Sequence, residues 1–68
     1  MNEEIFNLSI RKFLKMVGVK SQHEIEQAVN KALGQGIISG KDSLPVSVNL
    51  RIGTVKLDVK FDGEINLE

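Results

Sequence analysis

The chain of 68 residues has no cysteine, no tryptophan, no tyrosine and a single histidine. Without cysteine it has no disulfide, no thiol nucleophile and no cysteine-ligated zinc. A zinc site takes three or four protein ligands, and His23 has no cluster of further ligands around it in the sequence. We therefore expect no metal site and no cofactor.

The chain also lacks an excess of either charge, because nine Lys and Arg balance nine Asp and Glu. This neutrality weakens the electrostatic case for nucleic acid or an anionic membrane as a partner. No stretch approaches the roughly 20 apolar residues of a membrane span. The N-terminus, Met1 to Glu4, is acidic and is followed by no apolar signal core. We expect a cytoplasmic protein, used at full length and with no membrane partner.

The chain is too short to form a large catalytic pocket. A chain of this length forms one small core, so we expect one domain over residues 1–68. The glycines near Lys41 do not form a phosphate-binding loop. Gln35 stands where the first glycine of that motif belongs, and Asp42 where its hydroxyl residue belongs. We expect the protein not to be an enzyme, and we name no catalytic residue.

Two helices are predicted in the first half, where apolar residues recur with helical spacing. The first covers about residues 3–17, with Asn2 as its N-cap and Gly18 as its C-terminal stop. The segment from Ser21 to Glu24 matches a capping box. It therefore predicts that a second helix begins there and covers about residues 22–34.

The second half predicts strands, because apolar and polar residues alternate after Pro45. The expected strands cover about residues 46–52, 55–60 and 64–68. A two-residue turn at Gly53 and Thr54 would join the first pair. A loop over 61–63, with Gly63 left-handed, would join the second pair. The predicted fold is α+β, with two N-terminal helices followed by a three-stranded antiparallel β-meander.

A candidate contact point lies on the polar side of the first helix, where Leu8 is surrounded by charged residues. A scattered surface leucine is the simpler interpretation. A protein contact is the alternative, since a small core is often stabilised by oligomerisation. Residues 62–68 carry three negative charges and no positive one, so they would attract a basic segment of a neighbour. We expect a protein partner or a homo-oligomer, with these candidate residues: Leu8, Arg11, Lys12 and Lys15.

DNA binding is the second hypothesis. The segment from Leu14 to Leu33 resembles a helix-turn-helix, and the following hairpin resembles the wing of a winged-helix domain. The helix from Ser21 to Leu33 would then contact DNA, aided by four positive charges between Arg11 and Lys20. The missing third helix and the overall neutrality weigh against this interpretation. Single-stranded RNA is less favoured still, because no aromatic residue faces outward on the predicted sheet.

Several segments of the chain carry a family resemblance: Met1-Asn2-Glu3-Glu4-Ile5-Phe6-Asn7, Arg11-Lys12-Phe13-Leu14-Lys15, Val17-Gly18-Val19, Ser21-Gln22, Glu24-Ile25-Glu26, Ala28-Val29, Leu44-Pro45 and Phe61-Asp62-Gly63-Glu64-Ile65. Through them the chain resembles, over essentially its full length, a family of short bacterial proteins of unknown function. The resemblance implies a stand-alone bacterial protein, and it implies no activity, substrate or site.

Overall fold

The computed structural model describes residues 1–68 as two compact units, residues 1–37 and residues 38–68. The first unit contains one long helix, α1 (Glu3–Gly34). The second is a hairpin of two strands, β1 (Ser43–Ile52) and β2 (Leu57–Asn66), joined through a short 3₁₀ turn, Gly53–Val55. The fold is α+β, as expected. The finer prediction of two helices and a three-stranded meander is wrong.

Both ends of α1 are stabilised by local hydrogen bonds. The Asn2 side chain accepts a hydrogen bond from the Ile5 N–H at 3.1 Å, which confirms Asn2 as the N-cap. At the other end Gly36 adopts a φ of +73°, and the Ile37 N–H donates to the Ala32 carbonyl at 3.0 Å. This is the Schellman arrangement, and it needs glycine at its left-handed position.

The predicted break between two helices does not exist, because α1 runs without interruption through Gly18, Val19 and Ser21. A helix that stops at a glycine usually turns it left-handed, whereas Gly18 does not have a positive φ. Keeping one glycine inside a helix costs about 1 kcal/mol relative to alanine. Breaking the helix there would leave backbone groups at two new ends without partners and require a second nucleation. Ser21 and Glu24 therefore lie in the interior of the helix and do not begin a new one.

The hairpin pairs its strands two residues away from the predicted register. Ile52 faces Leu57, Leu50 faces Val59 and Val48 faces Phe61, whereas the two-residue turn would have paired Ile52 with Val55. The connection instead spans residues 53–56, and Lys56 takes a left-handed conformation with its N–H donating to the Gly53 carbonyl at 3.1 Å. Four-residue connections of this kind are common in hairpins. Because the shift is two residues, the apolar residues still share one face.

The longer connection also removes the predicted third strand. Residues 61–66 continue β2 instead of forming a loop and a new strand, and Leu44 thereby gains an apolar partner in Ile65. Gly63 lies in the strand opposite Val46, with no positive φ. At the open end, the Ser43 hydroxyl donates to the Asn66 side-chain oxygen at 2.7 Å. At the turn end, Arg51 Nε lies 3.5 Å from a carboxylate oxygen of its cross-strand partner.

No side chain is buried within either unit. Large apolar side chains stay exposed in both, among them Phe6 at 48% in α1 and Phe61 at 57% in β2.

The continuity of α1 predicts the effect of replacing Ser21 with alanine. Inside a helix, Ser21→Ala should raise the free energy of unfolding by about 0.5 kcal/mol, because alanine has the higher helix propensity. If Ser21 were an N-cap, the same change would lower it by about 1 kcal/mol. Urea titration followed by circular dichroism measures the difference, and a loss of stability would contradict a continuous helix.

The hairpin register predicts the effect of replacing Gly63. A Cβ at position 63 would lie 3.6 Å from Val46 Cγ1, an ordinary contact. Gly63→Ala should therefore stabilise the chain by about 0.5–1 kcal/mol. A matched control is Gly36→Ala, where the positive φ makes a loss of about 1 kcal/mol the expected result. If Gly63→Ala were as damaging as the control in thermal unfolding, Gly63 would have to be a turn residue.

Candidate functional site

The four sequence-predicted contact residues lie close together within two turns of α1. Leu8, Arg11, Lys12 and Lys15 are all exposed, and 57% of the Leu8 surface is accessible. The two ion pairs of the chain, Arg51–Asp58 and Lys60–Asp62, are both in the hairpin. The basic side chains of α1 therefore have no acidic partner within the chain. Their role in binding stays a prediction.

Leu8 is not an isolated surface leucine, because it belongs to a row of apolar residues. Ile5, Leu8, Met16 and Val19 recur at spacings that place them on one side of an α-helix. All four are exposed, and Met16 is the least so at 47%. We call these four residues the short face. Lys12 lies in the same row, between Leu8 and Met16, and interrupts its apolar character.

A second apolar row, which we call the long face, extends along most of α1. In the first half of the helix it consists of large side chains, and all but the last are exposed: Phe6, Ile10, Phe13, Leu14 and Val17. In the second half it consists of smaller or half-buried residues: Gly18, Ser21, Ile25, Ala28, Val29 and Ala32. The sequence analysis divided this row at Gly18 and so missed its length. The unbroken helical spacing from Phe6 to Ala32 was the available signal.

Charge changes sign several times along α1. Acidic residues open the helix, a basic stretch follows, and then come a second acidic pair and a final lysine. None of these charges is paired within the chain. In order, the groups are: Glu3 and Glu4; Arg11, Lys12, Lys15 and Lys20; Glu24 and Glu26; Lys31. The pattern supplies both signs of charge for a charged partner.

The hairpin also exposes apolar side chains, but both outer edges of its sheet are protected. The Leu67 N–H donates to the Asp42 carbonyl at 3.1 Å, and the hydrogen-bonded pairs alternate from there. This alternation turns the backbone nitrogen of Pro45, which has no hydrogen, to the outer edge of β1. On β2 the residues at the outer edge include Asp58, Lys60, Asp62 and Glu64. Proline and charge both discourage the addition of another strand.

No group of three or more His, Asp or Glu side chains is placed to hold a metal ion. No helix is long and apolar enough to cross a membrane. The turn that a helix-turn-helix needs is absent, because α1 continues through Gly18 and Val19. What the arrangement offers is apolar surface on two sides of one helix, beside unpaired charges.

Comparison with known proteins identifies a family but no function. A family model described as "Family of unknown function (DUF6494)" matches residues 1–68, which is the full chain. No curated protein and no solved structure matches the chain.

Proposed function

Since the chain belongs to this family of unknown function, we propose its role from its own residues: it is a non-catalytic interaction module that associates with itself through α1. The single observation that carries the proposal is the absence of any buried side chain in a chain with many exposed large apolar ones. The proposal includes a cytoplasmic location, expected from the sequence, and a bacterial source, implied by the family resemblance.

The exposed apolar side chains of α1 agree with association. Monomeric proteins rarely expose apolar patches of more than a few hundred Å² without a binding role. A two-stranded hairpin is only marginally stable alone in water, and most of the stability of a protein helix comes from the packing of its apolar face. Covering the apolar faces would therefore stabilise the fold as well as define the contact.

The helix is a better site for this contact than the hairpin edges. Strand addition would need an open edge, whereas Pro45 and a row of charged residues occupy the two edges. The long face of α1 presents Phe6 at 48%, Ile10 at 40% and Leu14 at 52% exposure without any such protection. We therefore assign the contact to α1.

Analytical ultracentrifugation over a concentration series tests the proposal. The wild-type mass should rise above that of one chain as concentration increases. Leu14→Glu should shift the rise to higher concentration by about tenfold or more, because it places a charge on the long face. The matched control is Gln27→Glu, which creates the same residue at an exposed position on another side of α1.

A wild-type protein that stays monomeric at high concentration would overturn the proposal, as would equal behaviour of Leu14→Glu and its control. Leu8→Glu in the same series tests the contact residue expected from the sequence. Because Leu8 lies on the short face, an unchanged association constant would exclude it from the contact.

DNA binding stays a prediction that a mobility-shift assay at two salt concentrations tests. The proposal expects no shift that grows at low salt, because the chain carries no net charge to neutralise phosphates. A shift that strengthens at low salt and is lost in the double variant Lys12→Glu with Lys15→Glu would make the basic stretch of α1 a nucleic-acid surface. That result would replace self-association as the leading function.

A further inference from the structure

We draw no further inference here: the strongest candidate, the long face of α1 from Phe6 to Ala32 with the unpaired basic residues of the same helix, carries none because nothing in the structure shows what covers it.

Discussion

The burial of apolar surface is the constraint on which the rest of this structure depends. A domain of this length normally places its apolar side chains between layers of secondary structure. Here no side chain is buried, although large apolar residues line two sides of α1 and one face of the hairpin. The hydrophobic driving force for folding is thus largely unused within each unit. The proposed self-association would supply that burial.

Local interactions explain why the elements form although neither unit buries a side chain. Asn2 and Gly36 satisfy backbone groups at the ends of α1 without help from distant residues. The strands of the hairpin are joined by their backbone ladder and by the Ser43–Asn66 hydrogen bond. Such interactions specify which residues form a helix or a strand, and they contribute little to the free energy of folding by themselves.

Much of the local structure could be predicted from the sequence. The N-cap at Asn2, a helix end near residue 34 and the apolar face of the hairpin were all expected, because caps and periodicity depend on nearby residues. The predictions of a helix break at Gly18 and of a two-residue turn at Gly53 and Thr54 were wrong. A glycine permits a helix to end but does not force it to end. A two-residue and a four-residue connection between the strands both keep the same residues on the apolar face of the hairpin, so the alternation does not distinguish them. The residues Leu8 and Arg11 were singled out for their local contrast, whereas the long face could be recognised only once α1 was continuous.

The proposed self-association would also give a role to the exposed apolar side chains of α1, which are not buried within their own unit. The hairpin edges, protected by Pro45 and by charged residues, would disfavour open-ended strand pairing.

The dependence of thermal stability on protein concentration tests most directly whether the folded state is an assembly. Circular dichroism would follow the unfolding of α1 over a roughly hundredfold range of concentration. If folding and association are coupled, the midpoint temperature rises steadily with concentration, because dilution favours the separated chains. A midpoint that does not change over that range, with a cooperative transition, would show that one chain folds by itself and would contradict the account.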